Sequence, residues 1–313
     1  MSLLLYPIAG GSARGEISGV FCYDPHVSHK NQPRPDWLKV RLPAGEGYFR
    51  IRSLVRDQRL HTVCTDARCP NIDECWGAGT ATFMILGEVC TRACKFCAVK
   101  TGKPAECDRD EPRRVAATIQ EMGLRYAVVT SVDRDDLQDG GALIFSETIR
   151  QTREACPGIR IEVLIPDFRG NWDALRQVVE AGPDVLAHNV ETVPRLYLLA
   201  RPGSRYGRSL DLLRRARSFG VPTVTKSSLM LGLGERRDEI LEVLNDLREA
   251  GVDLLTLGQY LQPTREHLPV ERFYTPEEFV EYRDYASSLG FRYVASGPLV
   301  RSSYRAEQQG RVI

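Results

Sequence analysis

Residues 81–97 read ATFMILGEVCTRACKFC, and the pattern that begins here indicates the fold class. It begins as a short apolar run and ends in three cysteines spaced C-x3-C-x2-C. From about residue 80 onwards, short apolar runs rich in β-branched residues alternate with stretches whose apolar residues recur at helical spacing. A series of strand–helix units predicts a parallel sheet covered by helices, either doubly wound or a complete or partial barrel.

The alternating pattern predicts seven strands and six helices. Strands are expected at residues 81–86, 126–131, 160–165, 184–189, 222–230, 253–260 and 291–296. Helices are expected near residues 111–122, 141–155, 171–181, 209–219, 236–250 and 275–289. Residues 1–50 are irregular and carry turn residues, so we expect them to form an arm that packs on the body of the protein.

The composition is that of an ordinary globular protein. The chain has 313 residues, of which 42% are apolar, and its formal net charge is +1. Such a charge argues against a nucleic-acid surface, and no apolar run approaches the ~20 residues that a membrane span requires. The first residues lack the features of a signal or transit peptide. We therefore expect a cytoplasmic protein with no nucleic-acid or membrane partner.

The distribution of the nine cysteines is the unusual feature. Six of them form two triplets, spaced C-x4-C-x5-C and C-x3-C-x2-C. The triplets are Cys64, Cys69 and Cys75, and Cys90, Cys94 and Cys97. A local cluster of thiols in a chain without a secretion signal indicates metal or redox chemistry. The other three, Cys22, Cys107 and Cys156, have no ligand spacing and are expected to be ordinary thiols.

Zinc, dithiol redox chemistry and iron–sulfur clusters are the alternatives for these thiols. A structural zinc site needs four ligands, usually from two C-x2-C pairs, whereas residues 64–97 contain one such pair and no histidine. Three plus three cysteines suit two cubane clusters, each with one iron that no cysteine binds. The count therefore favours iron–sulfur clusters.

The spacing C-x3-C-x2-C after the first strand of a βα series resembles the radical S-adenosylmethionine (SAM) superfamily. Phe96, the aromatic residue before the third cysteine, also matches that superfamily. The upstream triplet narrows the resemblance to the lipoyl synthases. Four further motifs do the same, namely TSVDRDDL at 130–137, HNVET at 188–192, GQYLQP at 258–263 and RSSY at 301–304. The resemblance covers roughly residues 50–310.

The resemblance implies an α/β fold, a partial (βα)6 TIM-like radical SAM barrel. The barrel would span residues 80–296, with an N-terminal cluster-binding extension over 1–79 and a C-terminal tail over 297–313. It also implies a sulfurtransferase that inserts two sulfur atoms, at C6 and C8, into an octanoyl chain held on a carrier-protein lysine. An unactivated C–H bond requires a radical, which a cofactor supplies.

The resemblance assigns a role to each cysteine triplet. Cys90, Cys94 and Cys97 would hold the 4Fe–4S cluster that cleaves SAM to a 5′-deoxyadenosyl radical. Cys64, Cys69 and Cys75 would hold an auxiliary 4Fe–4S cluster that is consumed as the sulfur source. The remaining ligand of the auxiliary cluster would be Ser303, with Ser302 as the alternative. Because a serine alkoxide is a poorer iron ligand than a thiolate, its iron should be the labile one.

Polar residues at the carboxyl ends of the predicted strands are candidates for binding SAM, because parallel barrels place their sites there. These candidates are Ser131, Asp133, Asn189, Glu191, Lys226 and Gln259, together with Phe96 from the cysteine loop. Asn189 and Glu191 are the strongest, and the alternative for Lys226 is a buried ion pair. The glycine-rich residues 231–235 are expected to lie against the adenine.

The resemblance also implies protein partners. These are octanoylated lipoyl carrier domains, such as the 2-oxoacid dehydrogenase acyltransferase subunit and the glycine cleavage carrier protein, and a ferredoxin- or flavodoxin-type electron donor. Arginines between residues 195 and 217 either steer an acidic carrier or form a solvated helix face. Two other functions are considered: a different radical enzyme, such as a methylthiotransferase or a biotin-type sulfur inserter, and a zinc-stabilised binding protein.

Overall fold

The computed structural model describes most of the chain. The described residues are 33–39, 45–58, 60–66, 69–77 and 80–309. Most of the predicted N-terminal arm, including Cys22, lies outside the described residues.

Strands form one eight-stranded sheet and one separate pair. In chain order they are β1 (His61–Thr62), β2 (Thr82–Ile85), β3 (Val89–Cys90), β4 (Lys100–Thr101), β5 (Tyr126–Ser131), β6 (Arg160–Leu164), β7 (Val185–Ala187), β8 (Val224–Leu231), β9 (Leu254–Gln259) and β10 (Tyr293–Gly297). The large sheet has the order β1-β2-β5-β6-β7-β8-β9-β10, and β3 pairs with β4. All seven predicted strands are present and run parallel to one another. The eighth strand of this sheet, β1, was not predicted and pairs antiparallel with β2.

Helices fill the connections between the parallel strands. In chain order they are α1 (Glu46–Asp57), α2 (Val63–Asp66), α3 (Ile72–Gly77), α4 (Glu111–Met122), α5 (Ala142–Ala155), α6 (Trp172–Glu180), α7 (Tyr197–Ala200), α8 (Tyr206–Ser218), α9 (Arg237–Glu249), α10 (Pro276–Ser288) and α11 (Ala306–Gln309). The six predicted helices correspond to α4, α5, α6, α8, α9 and α10. No helix among the described residues is long and apolar enough to span a membrane.

Local sequence explains the ends of the predicted helices. At the start of α10, Thr275 and Glu278 form a capping box and Pro276 occupies the first turn. At the end of α4, Gly123 adopts a left-handed conformation with φ of 66°, which a residue without Cβ adopts easily. By contrast, α1 begins inside the segment expected to be irregular. It packs on α3, where the rings of Tyr48 and Trp76 stack with centroids 5.2 Å apart.

The large sheet is concave around a central cavity. Alternate residues of a strand face opposite sides of the sheet. In β2 and β5, for example, Phe83 and Val129 are fully buried in the main core, whereas Thr82 and Thr130 line the cavity. Residues of β2, β5, β6, β8 and β9 line this one cavity. The α/β fold class, a mostly parallel sheet with helices in its connections, is therefore confirmed.

Candidate active site

A cavity of about 310 Å³ lies at the carboxyl ends of the parallel strands, and both cysteine triplets contribute to its wall. Cys64 and Cys69 come from the first triplet, and all three cysteines come from the second. Much of the remaining wall is apolar and includes Val63, Met84, Val128, Leu164, Ile165, Met230 and Val300. The fold thus brings the two predicted cluster sites to one cavity.

The loop that carries the second triplet is held by backbone hydrogen bonds on two sides. The Lys95 N–H donates to the carbonyl oxygen of Ala200 at 2.8 Å, at the end of α7. The carbonyl oxygen of Lys95 accepts from the Leu268 N–H at 3.0 Å, in the connection after β9. The residues between Cys94 and Cys97 are therefore fixed against the loops that surround the cavity.

The thiols of this loop are partly buried, and the Cys90 sulfur receives two backbone hydrogen bonds. The N–H groups of Arg92 and Asp133 donate to the sulfur of Cys90, at 3.4 and 3.3 Å. Burial raises the pKa of the Cys90 thiol to about 11 and that of Cys94 to about 12. Burial also raises the pKa of Cys97. Thiolates at these positions therefore need a metal partner at neutral pH, and metal binding would release protons.

The first triplet surrounds a smaller cavity beside the main one. Its wall contains Cys64, Cys69, Cys75, Asn71, Ile72, Thr80, Thr82, Arg301, Ser303 and Tyr304. The Thr82 hydroxyl donates to the Ser303 hydroxyl oxygen at 2.9 Å, which fixes this serine near β2. Ser302 lines only the main cavity. The geometry thus favours Ser303 over Ser302 as the serine beside the first triplet.

Two side chains between Cys69 and Cys75 hold the C-terminal tail against the first triplet. The Asn71 amide donates to the carbonyl oxygen of Leu299 at 2.7 Å. The Glu74 carboxylate accepts from the Tyr304 hydroxyl at 3.1 Å and from the Arg305 guanidinium at 2.8 Å. We call these contacts the tail clamp. They bring the RSSY motif to cysteines more than 220 positions earlier in the chain.

The donor set fits iron–sulfur clusters. In the described part of the chain, no three His, Cys, Asp or Glu side chains are arranged to hold a single metal ion. Each thiolate of a cubane binds a different iron, so cubane ligands surround a volume and do not converge on a point. Two sets of three soft thiols, one of them with a hydroxyl, match that requirement.

Three buried oxygen atoms on the cavity wall have no hydrogen-bond partner within the described residues. They are the Ser131 hydroxyl oxygen, one carboxylate oxygen of Asp133 and the Asn189 amide oxygen. Buried polar groups are normally paired, so this wall is suited to a polar ligand. The Asn189 amide donates to the Glu191 carboxylate at 3.0 Å, and burial raises the pKa of Glu191. With Phe96, these four residues line the cavity as expected for SAM-binding candidates.

Two other candidate SAM residues have structural partners. Lys226 is fully buried and forms an ion pair with Glu162 at 2.7 Å, which is the alternative considered for it. This corrects its assignment as a SAM ligand, because its ammonium group is already neutralised inside the sheet. The Gln259 amide group donates to the Arg272 carbonyl oxygen at 3.0 Å and accepts from the Tyr274 N–H at 2.9 Å.

The glycine-rich turn after β8 is also structural. Residues 231–235 lie outside the cavity wall, contrary to the expectation that they contact the adenine. The Glu235 carboxylate accepts hydrogen bonds from the N–H groups of Gly232 and Leu233 and closes the turn. Gly232 has φ of 116°, and a Cβ there would meet the Gln259 side chain and the Arg272 carbonyl oxygen. The glycine is therefore required by backbone conformation and packing.

Sequence reasoning missed two arginines near the cysteine loop. Arg92 lies inside the C-x3-C spacing, and its buried guanidinium donates to Asp135 and Asp167. Arg201 donates to the Asn189 carbonyl oxygen at 2.7 Å and to the Tyr197 hydroxyl oxygen at 2.9 Å. The position of Arg92 between two cysteines predicted to bind a cluster was the available signal. Arg201 is recognisable only after folding.

Most of the arginines considered for carrier docking are engaged within the chain. Arg195 pairs with Glu239, Arg208 with Asp167, Arg214 with Asp211 and Arg217 with Asp253, while Arg215 lies over the Trp172 ring. Arg205 is exposed. These ion pairs reduce the net charge of the proposed docking face.

Of the two ordinary thiols in the described residues, Cys107 and Cys156, neither lines the two cavities.

Comparison with known families gives two matches, and each range contains cysteines of one triplet. Residues 84–247 match the radical SAM superfamily, and this range contains the second triplet. Residues 23–69 match the N-terminal domain of lipoyl synthase of the radical SAM family, and this range contains Cys64 and Cys69.

Similar curated proteins share one name. Lipoyl synthase of Rubrobacter xylanophilus is 57% identical over 88% of this chain and 86% of its own length. Those of Koribacter versatilis and Chloroflexus aggregans are 55% and 52% identical, over 90% and 93% of this chain and 92% and 95% of their own lengths.

Solved structures of low sequence identity share the fold. Streptococcus suis SuiB bound to S-adenosylmethionine has a TM-score of 0.53 at 11% identity, with 70% of this chain and 51% of SuiB aligned. The chain thus spans about half the length of SuiB. Methylornithine synthase has a TM-score of 0.51 at 15% identity, with 81% of this chain and 79% of the other aligned. Together, the family matches and the high identity to its members show that the chain belongs to the lipoyl synthase family of the radical SAM superfamily.

Proposed function

We propose that this chain converts an octanoyl-lysine on a carrier protein into a lipoyl group, by inserting sulfur at C6 and C8. As a member of its family, it is an enzyme that uses SAM and two 4Fe–4S clusters. The observation that carries the proposal is that both cysteine triplets contribute to the wall of one cavity. A substrate in that cavity is near both the radical source and the sulfur source.

The proposal divides the cofactor ligands between two segments. Cys90, Cys94 and Cys97 hold the radical-generating cluster, and Cys64, Cys69, Cys75 and Ser303 hold the auxiliary cluster. When bound, SAM and the clusters supply a carbon-centred radical for hydrogen abstraction and sulfur for the new C–S bonds. We assign residues 1–79 to a cluster-binding extension, 80–296 to the barrel and 297–313 to the tail.

The side chains at the cavity have separate roles in this proposal. The unpaired oxygens of Ser131, Asp133 and Asn189, with Glu191 and Phe96, hold SAM beside the radical cluster. The apolar wall between the triplets takes the octanoyl chain, because burying each methylene contributes about 0.8 kcal/mol. The same wall excludes water, which protects a reactive radical from side reactions.

The substrate is an octanoylated lipoyl-carrier protein, as for the family. We propose the 2-oxoacid dehydrogenase acyltransferase subunit and the glycine cleavage carrier protein as carriers, and a ferredoxin- or flavodoxin-type protein as the electron donor. Because most of the arginines at 195–217 are paired, we expect steering of an acidic carrier by this face to be weak.

Anaerobic turnover with an octanoyl-lysine peptide tests the proposal. We expect about eight iron atoms per chain, matching acid-labile sulfide, and a lipoyl-lysine product detected by mass spectrometry. The control is the same reaction without SAM. Tightly bound zinc without acid-labile sulfide, or an unchanged peptide from protein that carries both clusters, would contradict the proposal.

A further inference from the structure

The side chain of Arg92 lies at the centre of a buried charge network below the cysteine loop. It is 3% exposed, although Arg92 lies between Cys90 and Cys94 in sequence. Its guanidinium makes two hydrogen bonds of 2.8 Å to Asp135, one of 2.6 Å to Asp167 and one of 3.2 Å to Ser204. The Asp133 carboxylate lies 3.5 Å away. A buried arginine therefore faces three carboxylates.

The partners of Arg92 belong to three different parts of the fold. Asp133 and Asp135 follow β5, Asp167 follows β6, and Ser204 follows α7. Asp167 is itself fixed, because it accepts from the Arg208 guanidinium at 3.1 Å and from the Arg169 N–H at 3.0 Å. Planar, multidentate bonds of this kind give geometric precision that a lysine does not supply. Arg92 thus anchors the cysteine loop to the ends of the neighbouring strands.

The same contacts orient the hydrogen bonds to a cluster-binding cysteine. The N–H groups of Arg92 and Asp133 both donate to the Cys90 sulfur. One oxygen of the Asp133 carboxylate lies 3.9 Å from that sulfur. Hydrogen bonds to cluster sulfurs and local charge are two means by which a protein sets the reduction potential of an iron–sulfur cluster.

We propose that Arg92 is a positioning residue that sets the reduction potential of the cluster at Cys90, Cys94 and Cys97 by balancing Asp133, Asp135 and Asp167. This inference rests on the proposed function, which places a cluster on these cysteines. Loss of the guanidinium leaves negative charge beside the cluster, which disfavours the added electron and lowers the potential. Loss of the Asp135 charge has the opposite effect.

The test is an electron paramagnetic resonance redox titration of the holoenzyme at pH 8. The signal that changes on adding SAM identifies the cluster at Cys90, Cys94 and Cys97. In Arg92→Gln, we expect the ratio of reduced to oxidised cluster at a fixed potential to fall about threefold or more. In Asp135→Asn, we expect this ratio to rise. Arg92→Lys keeps the charge, so its ratio should lie between those of wild type and Arg92→Gln.

Arg134→Gln is the matched control. Arg134 is also 3% exposed and pairs with Asp136, but its other bonds go to the backbone oxygens of Leu86 and Ala105 and not to the cysteine loop. The reduction potential of the cluster in this variant should stay at the wild-type value. Shifts of the same sign in Arg92→Gln and Asp135→Asn, no shift in either, or an equal shift in the control would overturn the inference.

Two further outcomes are also decisive. If Arg92→Gln loses the cluster, Asp135→Asn alone decides, since a rise in its potential supports the inference and an unchanged potential overturns it. A wild-type protein without a SAM-responsive cluster would contradict the proposed function itself, which is distinct from failure of the inference.

Discussion

The two cysteine triplets lie on one cavity but are held in different ways. The loop of Cys90, Cys94 and Cys97 is anchored by a buried network around Arg92. Backbone hydrogen bonds also join it to the end of α7 and to the connection after β9. The first triplet lies between the N-terminal segment and the C-terminal tail, joined through the tail clamp. The Glu74–Arg305 pair in that clamp is about half exposed on both sides.

This difference matches the different fates that the proposed function gives to the clusters at the two triplets. The radical cluster is used repeatedly, so a rigid buried anchor suits it. The auxiliary cluster gives up its sulfur and must be replaced, so a site closed by exposed contacts and a serine suits it. Exposed ion pairs are weak, generally below about 1 kcal/mol, whereas breaking a buried pair costs about 3–5 kcal/mol.

The largest effects come from deleting one thiol in each triplet. Cys94→Ala should abolish 5′-deoxyadenosine formation, because the radical cluster loses a ligand. Cys69→Ala should leave some SAM cleavage but give no sulfur insertion. Chromatography of the nucleoside and mass spectrometry of the peptide measure the two activities. If both variants insert sulfur, the assignment of the two clusters is wrong.

The next effect separates the two serines of the tail. Ser303→Ala should lower sulfur insertion by about tenfold or more, because Ser303 lines the small cavity with the first triplet. Ser302→Ala, the matched control, should retain more sulfur insertion, because Ser302 lines only the main cavity. SAM cleavage should survive in both variants. The reverse order of sulfur insertion would make Ser302 the ligand.

The interior of the large sheet should be more sensitive to a lost charge than the tail clamp. Lys226→Met leaves the Glu162 carboxylate unpaired beside the Tyr126 hydroxyl, and should lower the free energy of unfolding by about 3–5 kcal/mol. The double variant with Glu162→Gln should recover much of that loss, since no buried charge remains. Chemical denaturation measures both values. Equal losses in the single and double variants would contradict the role of the buried pair.

His188 should make the stability of the fold sensitive to acid. Burial lowers the pKa of His188 to about 4, with Arg201 adding to the effect, below the value of about 6.5 expected in the unfolded chain. Between those values the unfolded state binds the proton more strongly. Stability should therefore fall by about 3 kcal/mol as the pH drops from 6.5 to 4. His188→Gln should lack this loss of stability between pH 6.5 and 4, which thermal denaturation at a series of pH values measures. A pH profile identical to that of the wild type would contradict the role of His188.

The smallest effect is expected at the tail clamp. Glu74→Gln should change global stability by less than about 1 kcal/mol but speed the loss of auxiliary-cluster iron to a chelator. Asp110→Asn, which breaks an exposed pair with Arg113 elsewhere, is the control and should leave iron loss unchanged. Unchanged iron loss in Glu74→Gln would show that the clamp does not protect the cluster.

The parts of the fold that depend on local sequence were predictable. The seven parallel strands and six main helices follow from apolar periodicity and from caps such as those at Gly123 and Thr275. The antiparallel strand β1 was not predictable, because two residues are too few to show an alternation of apolar and polar side chains. Helix α1 was also missed, since the segment before it is rich in turn residues.

The parts of the site that depend on distant contacts were not predictable. Lys226 follows the pattern of a strand-end ligand, yet its partner Glu162 lies 64 positions earlier on β6, two strands away in the sheet. Arg92 meets Asp167, which is 75 positions away. The cysteines and Ser303 were found because their spacing and motif carry the chemistry in the sequence itself.

The central claim is that a cluster held by the first triplet supplies sulfur to a substrate in the cavity that both triplets share. The most direct test is a single turnover by protein whose clusters were rebuilt with ³⁴S-labelled sulfide, in buffer that contains unlabelled sulfide. The account predicts that both sulfur atoms of the lipoyl-lysine product carry the label in the mass spectrum. A product that contains only unlabelled sulfur would contradict it.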